Sequence, residues 1–171
     1  RKNLRNDLRV LAMSATADTD RFAKLLGDGE PAPIISSAGR QHPVDITWAP
    51  PGKQQRLDDA VADVTLRALR ENAGDILVFL PGIGEINRVQ QTLERSVTPD
   101  TDVYPLAGAL SLADQDRALA PSPVGRRRVV LSTDIAETSL TVNGVSVVVD
   151  AGQARVPRYD PRTGMTRLTT I

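Results

Sequence analysis

Five hydroxyl side chains fall within ten residues: Ser132, Thr133, Thr138, Ser139 and Thr141. They follow the apolar run Val129-Val130-Leu131, which reads as a buried strand. The chain therefore opens from a strand into a loop dense in groups that suit phosphate and sugar oxygens without reading a base edge. The same stretch supports a plainer arrangement, in which Asp134 and Glu137 exchange hydrogen bonds with backbone amides at a helix start. The two are compatible, because a capped helix amino terminus is itself an anion site. Ser14-Ala15-Thr16 repeats the theme after another short apolar run. Its hydroxyls could report on a neighbouring ligand, or Thr16 or Asp18 could simply cap the next helix.

Gly82-Ile83-Gly84-Glu85-Ile86-Asn87 follows a buried strand and opens a helix, which is the context of a dinucleotide fingerprint. Asn87 stands where the third glycine belongs, however, and the acid about 20 positions on, Asp102, precedes the next strand instead of ending it. A turn that brings the Gly82 and Gly84 amides close to a ligand, or to a neighbouring strand, fits better. There is no Gly-x-x-x-x-Gly-Lys-Ser/Thr run, since Gly52-Lys53 is followed by Gln54, and no Asp-Glu pair ends an apolar strand where it could hold magnesium. Taken alone, the sequence lacks the parts that hydrolyse a nucleotide. With no cysteine and a single histidine, His42, it has no disulfide or thiolate site and too few soft ligands for zinc. His42 precedes Pro43 in a turn and reads as structural or solvent-exposed. Trp48 and Tyr104 read as core or sheet-edge aromatics, and Arg126-Arg127-Arg128 as the solvated start of a strand.

The 171 residues suffice for one α/β domain, or for one domain carrying a piece of another. With 40% apolar and 25% charged residues the composition is that of an ordinary globular protein, and no apolar run reaches the roughly 20 residues of a membrane span. A cysteine-free chain points to a reducing cytoplasm. Net charge is zero, but residues 121–171 hold seven Lys/Arg against four Asp/Glu. An excess that small needs a second signal before it means nucleic acid. The chain starts on Arg1 in a charged stretch and stops at Ile171 inside an alternating one, the expectation for a fragment.

The elements that must position these groups alternate between apolar runs and amphipathic stretches, the pattern of a mainly parallel sheet. A strand is expected at 8–13, a helix at 18–26 closed by Gly27, a linker at 27–33, and short strands at 34–36 and 44–48. A helix at 54–71 is followed by the most hydrophobic strand, 76–80, whose continuous apolar run suits a strand covered on both faces. Helix 83–94, strand 103–106, helix 112–119, and strands 129–131 and 145–149 complete a doubly wound α/β domain over roughly residues 32–150. Beyond it, Asp160-Pro161-Arg162-Thr163-Gly164 sits between two extended runs and predicts a β-hairpin over 153–171, with Arg155, Arg158, Arg162 and Arg167 on its arms.

The motifs in their order carry a resemblance. Ser14-Ala-Thr16, Gly39-Arg40-x-His42-Pro43-Val44, Ile76-Leu-Val-Phe-Leu-Pro81-Gly82-x-x-Glu85-Ile86, Pro105-Leu-x-Gly108-x-Leu110, Ser132-Thr-Asp-Ile-Ala-Glu-Thr-Ser-Leu-Thr141 and Tyr159-Asp-Pro-Arg-Thr-Gly-Met165 together closely resemble the DEAH-box helicases of superfamily 2, their bacterial HrpB-like branch most of all. The resemblance covers essentially the whole chain. It implies a RecA-like, mainly parallel sheet flanked by helices, with a carboxyl-terminal β-hairpin. Residues 1–31 would be the end of a first RecA-like domain, including motif III at Ser14 and Thr16. Residues 32–171 would be most of a second, stopping before motif VI.

By the same resemblance Gly82, Gly108, Thr133, Arg155 and Arg158 face nucleic acid, with Thr133 on a backbone phosphate. Ser14, Thr16, Ser139, Thr141 and Asn143 couple to the nucleotide, Ser139 near its γ-phosphate and Thr141 and Asn143 nearer its ribose. Asp134 stands where the family often has asparagine, which favours a capping or bridging role. ATP and Mg2+ would be held mainly by parts outside the chain, so the fragment alone should be inactive. The expected partner is single-stranded or partly duplex RNA, with DNA possible. A non-catalytic binding module and, less well supported, a dinucleotide-binding oxidoreductase domain are the alternatives.

Overall fold

The computed structural model describes residues 9–13, 18–37, 42–133 and 142–171. The expected site positions Ser14, Thr16, Ser139 and Thr141 lie outside the described residues, as do Gly39, Arg40, Asp134 and Glu137. The chain divides into two units, Arg1–Ile46 and Thr47–Ile171.

In the first unit, helix α1 (Thr19–Leu26) begins where Asp18 accepts a hydrogen bond from the Arg21 amide at 3.2 Å, leaving Thr16 unneeded as its cap. It ends where the amides of Gly27 and Ala32 both donate to the Ala23 carbonyl, at 2.9 and 2.8 Å. Gly27 is required by space, because a Cβ there would lie 1.9 Å from the Glu30 carbonyl oxygen. The described residues of the expected strands 8–13, 34–36 and 44–48 form no strand. Their alternation gives the right period, but a strand also needs a neighbour to satisfy its backbone groups, and none of the described strands pairs with them. Trp48, expected in the core or at a sheet edge, is correspondingly 90% exposed.

In the second unit, helix α2 (Leu57–Glu71) precedes strand β1 (Asp75–Phe79), and helix α3 (Ile83–Glu94) leads to strand β2 (Thr101–Leu106). Helix α4 (Leu112–Leu119) then leads to strand β3 (Arg127–Ser132), and strand β4 (Val145–Asp150) follows. The four strands form one sheet in the order β2-β3-β1-β4, every neighbouring pair parallel. Helix α2 starts three residues later than its periodicity predicts. The cause is that Gln55 closes a turn on Gly52, its amide donating to the Gly52 carbonyl while its side chain accepts from the Gly52 amide.

The continuous apolar run of β1 is explained by burial on both faces. On one face Ile76 and Val78 pack with Val129 and Leu131 of β3 and with Ile86, Val89 and Leu93 of α3. On the other, Leu77 and Val130 pack with Leu106 and with Ala118 of α4. Tyr104 lies half-buried on the edge strand β2, as its sequence context predicts.

Strands β5 (Arg155–Asp160) and β6 (Met165–Thr170) form the expected antiparallel hairpin, with Asp160 opposite Met165. Its turn is built by Asp160, whose carbonyl accepts from Thr163 and Gly164 and whose carboxylate accepts from the Arg162 amide. Gly164 takes a φ of +66°, which explains a glycine at that corner.

Candidate nucleic-acid interface

Parallel strands release the chain at one common edge, and here that edge gathers the candidate residues. Ser132, the last residue of β3, is flanked in register by Phe79 of β1 and Leu106 of β2. The segments that follow therefore emerge side by side: Leu80-Pro81-Gly82 after β1, Ala107-Gly108 after β2, and Thr133 after β3. The Leu80 amide donates to the Ser132 carbonyl at 2.8 Å, which ties the exits of β1 and β3 together, and the Ser132 hydroxyl donates to the carbonyl of its neighbour Thr133 at 2.8 Å. The Ala151 amide donates to the Phe79 carbonyl at 3.1 Å, so the chain that leads into β5 leaves from the same edge.

Gly82 is buried, and the space beside its Cα is occupied. A Cβ there would lie 2.6 Å from Nη1 of Arg155 and 3.2 Å from Oε2 of Glu85. Its φ of −176° is ordinary extended backbone, so any preference for glycine is one of space, set by the movable end of the Arg155 side chain. The Arg155 guanidinium reaches Glu85 Oε1 at 3.1 Å, and Arg88 donates to the same oxygen at 2.9 Å. Arg88 in turn donates to Asp58 Oδ2 at 2.6 Å, and Arg56 holds both oxygens of Asp58 at 3.3 Å. Both carboxylates lie in the first turn of a helix, Asp58 of α2 and Glu85 of α3, where the helix dipole favours negative charge. Burial opposes the charge on Asp58, but hydrogen bonds from Arg56, the backbone and Arg88 outweigh it and hold its carboxyl below the usual range.

Arg158 is exposed on β5 directly opposite Arg167 of β6, and neither has a carboxylate partner among the described residues. Like charges facing each other across a hairpin are unfavourable unless an anion or solvent shields them.

Asn143 stands apart from this group. It precedes Gly144, whose φ of +88° turns the chain into β4, and Val145 pairs with Asp75, the first residue of β1. It therefore lies at the amino-terminal edge of the sheet, a strand's length of about 17 Å from Gly82 and Thr133. Its carbonyl accepts from Arg128 Nη2 at 2.6 Å and its side chain is exposed.

The same edge corrects the reading of Arg126-Arg127-Arg128 as solvated. Arg128 is 1% exposed. It donates through Nε to Asp75 Oδ2 at 2.9 Å, through its amide to Asp75 Oδ1 at 3.0 Å, and through Nη1 to the carbonyls of Ala118 and Ala120. Arg127 donates to the Leu69 and Gly74 carbonyls at the end of α2, and Arg126 pairs with Asp102. A long cationic side chain can be buried when a buried carboxylate and nearby backbone carbonyls accept most of its protons. Four of the five side-chain N–H groups of Arg128 are taken by Asp75, Ala118, Ala120 and Asn143, while Nη2 of Arg127 is buried without a partner among the described residues.

Asp58, Arg88 and the Asp75–Arg128 pair were not singled out by sequence reasoning. The one local signal was an aspartate heading the most apolar strand. A surface hollow of about 430 Å³ is lined by Glu94, Val97, Thr98 and residues of β2, and by none of the candidate residues. Among the described residues no three or more His, Cys, Asp or Glu side chains are grouped so as to hold a metal ion by themselves.

The family described as the helicase conserved C-terminal domain matches residues 53–163, well over half of the chain, and the chain belongs to that family. It is 52% identical over 169 residues to the ATP-dependent RNA helicase HrpB of Escherichia coli (strain K12), covering 99% of this chain and 20% of that protein. It is 39% identical over 170 residues to the pre-mRNA-splicing factor ATP-dependent RNA helicase prp22 of Schizosaccharomyces pombe, covering 96% of this chain and 14% of that one. The crystal structure of the Escherichia coli DEAH/RHA helicase HrpB superposes with a TM-score of 0.86 at 50% identity, over 99% of this chain and 21% of that one. The chain thus spans about a fifth of the length of HrpB. The RecA-like sheet and the resemblance to DEAH-box helicases stand on these matches. No described helix is long and apolar enough to cross a membrane.

Proposed function

We propose that this chain is part of an ATP-dependent RNA helicase that works in the cytoplasm, moving along one strand of single-stranded or partly duplex RNA, with DNA as a possible second polymer. Residues 1–31 would close a first RecA-like domain, and residues 32–171 would make most of a second. The observation that carries the proposal is the emergence of Gly82, Gly108 and Thr133 from three adjacent parallel strands at one edge, with Arg155 on the hairpin beside them. Amides, a hydroxyl and guanidinium groups suit a phosphate backbone, so sequence preference should be low and affinity should fall as salt rises.

Asn143 at the opposite edge supports a division of labour: a polar side chain, its backbone held by Arg128, is available to a ribose while the other edge grips the strand. Ser14, Thr16, Ser139 and Thr141 are assigned with it to nucleotide coupling by resemblance. ATP with Mg2+ supplies the driving free energy when bound, held mainly by parts of the parent protein outside this chain. The residues in hand hold and orient and have no complete catalytic set, so the isolated chain should be inactive.

The test is the steady-state ATPase rate of the full-length parent with and without single-stranded RNA and DNA, at two salt concentrations. Stimulation that weakens with salt is expected. A flat, negligible rate in folded protein would overturn the proposal.

A further inference from the structure

The ion pairs beside Gly82 form a chain that alternates in sign: Arg56, Asp58, Arg88, Glu85, Arg155. It holds three cations and two anions and ends on an arginine at each side, so one positive charge is uncompensated. The carboxylate nearest the sheet edge is unevenly used. Glu85 Oε1 takes both guanidinium groups, from Arg88 at 2.9 Å and Arg155 at 3.1 Å, while Oε2 is buried with no hydrogen-bond partner among the described residues. Arg88 is anchored a second time by Asp58 at 2.6 Å, so it stays in place if Arg155 departs. Arg155 has no other carboxylate partner among the described residues and its side chain remains 38% exposed. Its guanidinium occupies the space that a Cβ on residue 82 would take.

We propose that Glu85 is an internal competitor for Arg155, occupying in the resting chain the guanidinium that a nucleic-acid phosphate takes on binding. The inference rests on the function proposed above and names a residue that sets its affinity. The exchange is chemically balanced: one ion pair is traded for another, and Glu85 keeps Arg88. A phosphate offers the guanidinium fork two oxygens at once, where Glu85 offers one that it already shares, so the exchange runs toward the phosphate when a strand is present. A partly exposed pair of this kind contributes little to stability, so it can open at small cost. Glu85 thus makes Arg155 selective, withholding it from weak or lone anions.

The experiment measures binding of a fluorescent 12-nucleotide oligouridine to the full-length parent and its variants between 50 and 300 mM salt. Glu85→Gln, nearly isosteric, should tighten binding about three- to fivefold, the range expected when a partly exposed ion pair no longer has to be broken. Arg155→Ala should weaken binding and reduce the salt slope by about 0.7, the loss of one contact to a single strand. In the Arg155→Ala background, Glu85→Gln should change affinity less than twofold. An equal gain in both backgrounds would mean that Glu85 acts only as a nearby negative charge, and no gain in either would mean that it does not compete; both outcomes overturn the proposal. Failure of the unaltered parent to bind RNA or DNA at any salt would instead overturn the functional reading beneath it. A melting temperature for each variant identifies any that is misfolded, and the Arg155→Ala salt slope then tests the contact independently.

Discussion

Arg128 and Asp75 meet inside the amino-terminal end of the sheet, Nε to Oδ2 at 2.9 Å, with side chains only 1% and 7% exposed. The pair joins four parts of the fold. Asp75 also accepts from the Ser122 hydroxyl, and Arg128 also holds the last carbonyls of α4 and the carbonyl of Asn143. Removing one partner leaves a buried charge without compensation, which typically costs about 3–5 kcal/mol. Arg128→Leu should therefore lower the thermal midpoint by about 10 °C. The double variant Asp75→Leu/Arg128→Leu should recover part of the loss. Differential scanning calorimetry of the three proteins decides, and equal midpoints would remove the pair from the account of stability.

Acid should destabilise the fold through a defined set of carboxylates. Asp58, Asp100, Asp102 and Asp114 all titrate below the ordinary value. In Asp102 the hydrogen bond from Arg126 dominates, and in Asp114 that from Ser111. The folded state then binds fewer protons than the unfolded state below about pH 3.9, so stability rises with pH through that window and is fully present above it. Melting temperature measured from pH 2 to 6 should climb and then level off, and Asp58→Asn should make the climb shallower. A profile flat from pH 2 upward would contradict these shifts.

Thr133 tests the grip at the carboxyl edge. Thr133→Val in the full-length parent removes one neutral hydroxyl and should weaken RNA binding by about three- to tenfold, the equivalent of one hydrogen bond. The loss should be the same for different sequences, and the salt slope should not change, because no cation has been removed. A loss confined to one sequence would place Thr133 on a base.

Ser139 tests the other side of the coupling. Ser139→Ala in the parent should lower nucleic-acid-stimulated ATPase activity more than it lowers nucleic-acid binding. The reverse pattern, read from paired rate and binding measurements, would count against its assignment to the nucleotide.

Most of the second unit is legible from local signals. Helix α3 begins and ends where its periodicity predicts because apolar Ile86, Val89 and Leu93 recur on one face, and β1 declares its central place by an unbroken apolar run. The hairpin is encoded by Asp160 and Gly164, whose turn geometry is a local property. Where reading fails, the missing information is a distant partner. Alternation in Val44, Ile46 and Trp48 implies a strand, but only a neighbouring strand could make it one. Arg128 reads as solvated because nothing within ten residues reveals Asp75, which lies 53 positions earlier. The motif order singled out Gly82 and Thr133, which leave neighbouring strands at one edge, yet the Asp58–Arg88 contact that anchors the ion-pair chain spans 30 positions and leaves no local trace.

The opposed arginines of the hairpin carry a last consequence, for solubility. A two-stranded ribbon with Tyr159, Met165 and Leu168 exposed could template further strands from other copies. In-register addition would bring the Arg158 and Arg167 groups of both ribbons side by side, four guanidinium charges in one row, and the repulsion would grow with every copy added. The two side chains suited to attract a phosphate backbone therefore also keep one hairpin from stacking on another, and replacing both by leucine should leave a protein that self-associates before it loses its fold.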